Sequence, residues 1–168
     1  MSPKRSPLTP NFSLDELIPK GWDGSVPAEV LGNLIALCET VLEPARAYLG
    51  RSIHPDDGWR PAAHNAAVGG VKESDHLVGA AADVWASGTD EESWQDATVR
   101  LFHWMRVHLK GRYGQLILED RREHEKRDNA LVIHVSIPTK KHPGHDDASA
   151  VLVSRQKGHY QAFEEPRA

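Results

Sequence analysis

The sequence predicts an α+β fold, with a small, mostly antiparallel sheet and helices packed on one side of it. Apolar residues recur at three-and-four spacing from Val30 to Ala45 and again from Trp94 to Leu109, the period of a helix with one buried stripe. Two strand-like runs, Tyr113 to Glu119 and Ala130 to Ile137, are joined by the charged segment Asp120 to Asn129 and read as an antiparallel hairpin with a solvated tip.

The elements follow in order. Residues 1–10 are rich in proline and read as an extended lead-in. Phe12, Ser13, Glu16 and Leu17 combine a capping box with a hydrophobic staple, so a short helix is expected to start at Ser13. A longer helix is expected from Pro27 to Leu49, kinked by Pro44 and closed by Gly50. Arg51 to Ile53 then starts a strand, His54 to Gly58 reads as turn, and Trp59 to Gly70 as loop with at most one helical turn. Thr89 followed by Glu92 is the expected start of the third helix, which Gly111 stops. Beyond Pro138 the clusters of Lys, His, Pro and Gly predict a loosely structured tail, with an edge strand at Ala150 to Ser154.

At 168 residues, one domain is expected, placed at 11–155 with a tail at 156–168. With 39% hydrophobic and 26% charged residues the chain is neither disordered nor membrane-embedded in composition. A net charge of −4, mixed in sign, argues against nucleic acid or membrane insertion and leaves a peptide or small molecule as partner, with a monomer as the expected state. The single cysteine, Cys38, sits in an apolar helical pattern, which excludes an internal disulfide and a multi-thiolate metal site. Ten histidines make His and carboxylate ligation the metal chemistry to look for. The N-terminus lacks the apolar run of a secretory signal, so synthesis as a cytoplasmic product is expected.

Ser74-Asp75-His76-Leu77-Val78-Gly79-Ala80-Ala81-Ala82-Asp83-Val84-Trp85 carries the chemistry. If Gly79 to Trp85 is a strand, Asp83 shares a face with Gly79, Ala81 and Trp85, a face cleared of bulk on one side. Gly79 permits the turn that returns His76 over that face, giving two ligands for a zinc ion. In Leu131 to Ile137, the odd-numbered residues are apolar while His134 points the other way with Val132 and Ser136, and it supplies a third ligand. Three protein ligands with a fourth position left for water form the open, catalytic type of zinc site. A polar cluster satisfied by hydrogen bonds alone is the bland alternative.

The pattern Ser-x-His-x-x-Gly-x-Ala-x-Asp at Ser74 to Asp83, with Val132-Ile-His-Val-Ser136 later, resembles the zinc D-Ala-D-Ala carboxypeptidases and peptidoglycan endopeptidases of the M15 class. Asp57-Gly-Trp-Arg60-Pro, Asn65-Ala-Ala-Val-Gly-Gly70 and Asn11-Phe-Ser-Leu-Asp-Glu-Leu17 extend the resemblance upstream. It implies the hedgehog and DD-peptidase type of fold and a zinc held by His76, Asp83 and His134. It also implies a substrate-gripping Arg60, whose planar donor fork suits a carboxylate, and Ser74 near the substrate backbone. The implied reaction is hydrolysis of an amide in a peptidoglycan stem peptide. Acting at a cell wall without a secretory signal suggests a phage or prophage lysis or virion-associated enzyme.

The chain departs from that class at the general base. Several members carry a carboxylate three residues before the last zinc histidine or a His two before it, and here those positions are Leu131 and Val132. Glu119, at the end of the partner strand, is the candidate base, with Asp128 and Glu123 in the same charged tip. Its bland reading is a solvated strand end, and that of Arg60 a salt bridge with Asp56 or Asp57. The missing base also admits a zinc-bound but catalytically silent wall-binding or assembly module, and a third reading makes the metal purely structural.

Overall fold

A computed structural model describes residues 6–127, 130–143 and 151–164. The capping pattern at its start is realised: the Glu16 carboxylate accepts from Ser13 N at 2.8 Å, and Leu14–Glu16 form a single 3-10 turn. Phe12 and Leu17, on either side of the turn, are both buried.

The long helix forms as α1 (Ala28–Leu37), a π turn (Cys38–Leu42) and α2 (Glu43–Leu49), with Gly50 left-handed at its end. Proline at position 44 has no N–H to donate, and its ring collides with the carbonyl four residues back. The π turn precedes it and accommodates that disruption without ending the helix.

The turn expected at His54 to Gly58 is instead strand β1 (Ile53–Asp57). Pro55 is tolerated there because β1 lies at the sheet edge, and the register shifts between Pro55 and Asp57. Within the loop that follows, α3 (Ala62–Ala67) is the one expected helical stretch. A 3-10 turn (Asp75–Val78) then ends at Gly79, φ 71°, and the chain enters β2 (Ala81–Ala86). Helix α4 (Trp94–His108) starts later than Thr89 and Glu92 suggest. Thr89 N donates to Glu92 O and closes a turn, so capping passes to Ser93, whose hydroxyl accepts from Asp96 N.

The hairpin forms as β3 (Gln115–Asp120) and β4 (Leu131–Ser136). The strand expected at Ala150 to Ser154 forms as β5 (Val151–Gln156), with Ala150 outside the described residues, but it is not an edge: it pairs parallel to β3 on one side and with a further strand on the other. The sheet does not stop at residue 155, since β6 (His159–Ala162) pairs with β5 in turn. The order is β1-β2-β4-β3-β5-β6, antiparallel at every contact except β3 with β5.

Side-chain alternation divides this sheet into two faces. Val84, Ala86, Ile133, Val135, Leu116 and Leu118 join Leu34, Leu37, Leu101, Phe102 and Met105 in one buried cluster beneath α1, α2 and α4. Each such large side chain contributes about 1.5–3 kcal/mol by leaving water. The opposite face carries Asp83, His134, Ile117 and Glu119 and is bordered by the loops around residues 57–60 and 68–76. No helix among the described residues is long and apolar enough to cross a membrane.

Gly79 is the joint between the 3-10 turn and β2. A Cβ there would stand 2.8 Å from Val30 Cγ1 and 2.9 Å from Val30 O of α1, at a φ that L side chains rarely adopt. Gly79→Ala is expected to cost about 2 kcal/mol or more, from left-handed strain plus overpacking. Urea unfolding checks this, with a midpoint unchanged from the natural chain as the contrary result.

Candidate metal centre

The cross-strand register brings the site together. Asp83 on β2 lies directly opposite His134 on β4, so their side chains rise from the same face of neighbouring strands. His76 reaches them from the 3-10 turn, one strand-entry away across Gly79. Ala80, Ala81 and Ala82, between the turn and Asp83, are all fully buried.

The donor atoms converge closely. His76 Nε2 lies 3.2 Å from His134 Nδ1 and 3.3 Å from Asp83 Oδ1, and His134 Nδ1 lies 2.9 Å from Asp83 Oδ1. Ligand atoms around a tetrahedral zinc at bonds of about 2.0–2.1 Å stand about 3.3 Å apart, so the spacing fits the edges of one coordination sphere. The tautomer of His76 fits as well. Its Nδ1 is 2.6 Å from Gly58 O, and a carbonyl can only accept, so Nδ1 carries the proton and neutral His76 presents a bare Nε2 lone pair to the cluster. Lone pairs this close repel unless a cation or a proton lies between them. Among the described residues, His76, Asp83 and His134 are the group of three that can hold a metal ion.

Outer contacts hold the ligands in place. Arg60 Nη2 donates to Asp83 Oδ2 at 2.7 Å while its Nε donates to Asp57 Oδ2 at 2.5 Å. The loop bearing Gly58 and Arg60 is fixed by Trp59 N to Leu17 O at 2.7 Å, Trp59 Nε1 to Leu77 O at 3.1 Å and Arg60 N to His76 O at 3.0 Å. A Cβ on Gly58 would meet Leu17 O at 2.4 Å, so the loop sits this deep only with glycine there.

Electrostatics follow the geometry. Burial by itself would raise the Asp83 carboxyl, but the facing His76 and His134 outweigh it and hold Asp83 well below the usual carboxylate range. Burial likewise opposes charge on His76, yet Asp83 wins and holds its pKa above the ordinary histidine value. Glu119 moves the other way. Burial first, then the negative charge of Asp83, push its carboxyl up against the opposing pull of Arg121, with which it is ion-paired.

A cavity of about 520 Å³ opens over the cluster and is lined by Arg60, Ser74, Glu119 and Tyr160 as well as His76, Asp83 and His134. The structure thus gathers all six residues expected from the sequence. Arg60 has its Nε and Nη2 on carboxylates, and Asp57 is the salt-bridge partner its bland reading named. Ser74 caps the 3-10 turn, its hydroxyl accepting from His76 N at 3.3 Å. Glu119 lies opposite Val132, one same-face position along the strands from His134. Asp128 lies outside the described residues. Sequence reasoning missed Asp75 and His142, which form a pair at 2.6 Å on the cavity wall, because His142 looked like part of a polar tail loop.

No protein of curated function matches the chain in sequence. The family model for Peptidase M15 matches residues 10–113. That stretch holds Arg60, Ser74, His76 and Asp83 and stops before β3, while the fold carries His134 back to the same cluster. The matched segment therefore contains two of the three candidate ligands, and the chain belongs to the peptidase M15 family.

Proposed function

We propose that this protein is a zinc-dependent peptidase that hydrolyses an amide bond in peptidoglycan stem peptides, in the manner of D-Ala-D-Ala carboxypeptidases or endopeptidases. The observation that carries the reading is the convergence of His76, Asp83 and His134 within one cavity that also holds the half-buried Glu119. Zinc held by these three residues would supply Lewis acidity toward a carbonyl and lower the pKa of a water toward about 7.

The protein's own groups do the rest. Glu119 takes the proton of the attacking water and returns it to the departing amine, a role suited to a carboxyl whose pKa is raised toward the working pH. Arg60 fixes the orientation of Asp83 and presents its outer edge to the cavity, where it grips a substrate carboxylate or carbonyl. Ser74 borders the path of the substrate backbone. Arg121, Arg127, Lys141 and Lys157 also line the cavity and suit a substrate that carries several carboxylates. The presence of Glu119 in the cavity favours this enzyme over a silent wall-binding module. Its site of action is the cell wall, as a phage or prophage lysis or virion-associated enzyme.

Incubating the zinc-loaded protein with purified peptidoglycan and identifying the products by mass tests the reading. Glu119→Gln is expected to keep its zinc and lose about 10²–10⁴-fold in kcat. His134→Ala is expected to lose zinc and activity together, and Arg60→Ala to weaken zinc binding about 10–100-fold through the loosened Asp83. Cleavage by the natural chain that survives in both Glu119→Gln and His134→Ala would defeat the assignment.

Protons compete with the metal for His76. In the metal-free protein its pKa is raised, so the stabilising His76–Asp83 attraction is complete below the ordinary histidine pKa of about 6.5 and is lost as pH rises through the raised value. Metal affinity has the opposite sign, full at alkaline pH and falling as pH drops through that same value. Chelator competition from about pH 6 to 9 measures it, and an affinity flat across this range would contradict the ligand assignment.

A further inference from the structure

The Asp75–His142 pair is built into the cavity wall and has no part in the roles given above. Asp75 is 6% exposed and both its oxygens are engaged: Oδ2 accepts from His142 Nδ1 at 2.6 Å and Oδ1 from Thr139 Oγ1 at 3.2 Å. An ionised carboxylate only accepts, so Nδ1 carries a proton and Nε2 is the ring's other functional atom. The turn that bears His142 is fastened on several sides. His142 N donates to Thr139 Oγ1 at 3.1 Å, Thr139 N to His142 O at 2.9 Å, and Lys141 Nζ to Glu73 O at 2.9 Å. Gly114 admits this turn against the start of β3, because a Cβ there would stand 2.4 Å from His142 O.

Register gives the placement. His134 lies opposite Ile117, Glu119 stands two residues to one side of Ile117, and Gly114, against which His142 seats, stands three residues to the other. Glu119 and His142 therefore approach the cluster from opposite ends of the strands, within one cavity. A buried carboxylate that holds an imidazole by Nδ1 is the arrangement that fixes a histidine's orientation toward reacting atoms.

Resting on the peptidase reading, we infer that His142 is a catalytic residue whose protonated ring donates Nε2–H to the scissile carbonyl oxygen as that oxygen becomes an oxyanion. As the water oxygen bonds to the carbonyl carbon, the π electron pair moves onto the carbonyl oxygen and Glu119 takes the water's proton. Collapse re-forms the carbonyl, breaks the C–N bond and sends that proton from Glu119 to the amine. His142 stabilises the charge in between and transfers nothing; Asp75 is its positioning residue.

The test compares the natural chain with His142→Ala, His142→Gln and Asp75→Asn on the peptidoglycan bond that the natural chain cleaves. Binding of the phosphinate isostere of that bond is measured by calorimetry alongside kinetics, zinc content and melting. His142→Ala is expected to lose about 10²–10³-fold in kcat with KM nearly unchanged, as for removal of an oxyanion donor. Phosphinate affinity should fall by the same factor, with zinc content intact and added imidazole restoring part of the rate. His142→Gln, which keeps a donor, should fall between, and Asp75→Asn should lose less than His142→Ala. Natural-level cleavage and phosphinate binding by His142→Ala overturn the inference and leave the peptidase reading standing. So does a loss that tracks zinc content or melting in both His142 variants. A natural chain that cleaves no peptidoglycan bond overturns the peptidase reading, and this inference with it.

Discussion

Much of this structure is arranged around the carboxylate of Asp83. It faces two imidazoles through Oδ1 and a guanidinium through Oδ2, in surroundings where an unpaired charge would cost several kcal/mol. Each partner comes from a different part of the chain: His76 from the turn before β2, His134 from β4, Arg60 from the loop after β1. The charge is thus compensated only when β1, β2 and β4 are in register and the turn has folded back. Loss of any one partner leaves the other charges buried, which is why the site and the sheet stand or fall together.

That constraint explains residue choices far from the ligands. Gly58 lets the Arg60 loop sink against Leu17, so the first 3-10 turn of the chain supports the His-Asp-His cluster through backbone contacts. Gly79 packs the second turn onto α1, and the alanines at 80–82 are fully buried where the chain enters β2. The helices bury the other face of the sheet and supply most of the apolar core; the loops on the open face hold the charges.

The parts legible in the sequence are those governed by short-range periodicity. Strand alternation around Asp83 and His134 placed both on the cleared face, and the capping box at Ser13 formed as its spacing required. Pro55 hid β1, because proline argues against a strand except at an edge, and edge position is a property of the whole sheet. Thr89 imitated an N-cap, and only the turn closed by Thr89 N and Glu92 O passes that role to Ser93. His142 was the least legible of all. Its partner Asp75 is 67 residues away, and nothing in the local sequence says that the two meet.

The family match ends at residue 113, yet the site does not. Everything that would make the cluster a catalyst rather than a metal-binding corner comes from beyond that point: His134 and Glu119 on the hairpin, His142 on the following turn, Tyr160 on the last strand. The earlier segment sets two candidate ligands and their supports, and the later one brings the third and walls the cavity. Leu131 and Val132 stand where several members of the resembled class carry an acid or a histidine, so on the proposed reading proton handling falls to Glu119, on the neighbouring strand of the same later segment. That carboxylate and the His142 imidazole beyond the end of β4 line the same cavity as the cluster. The geometry of the sheet, rather than any fixed spacing along the chain, decides which groups face the cavity over the cluster.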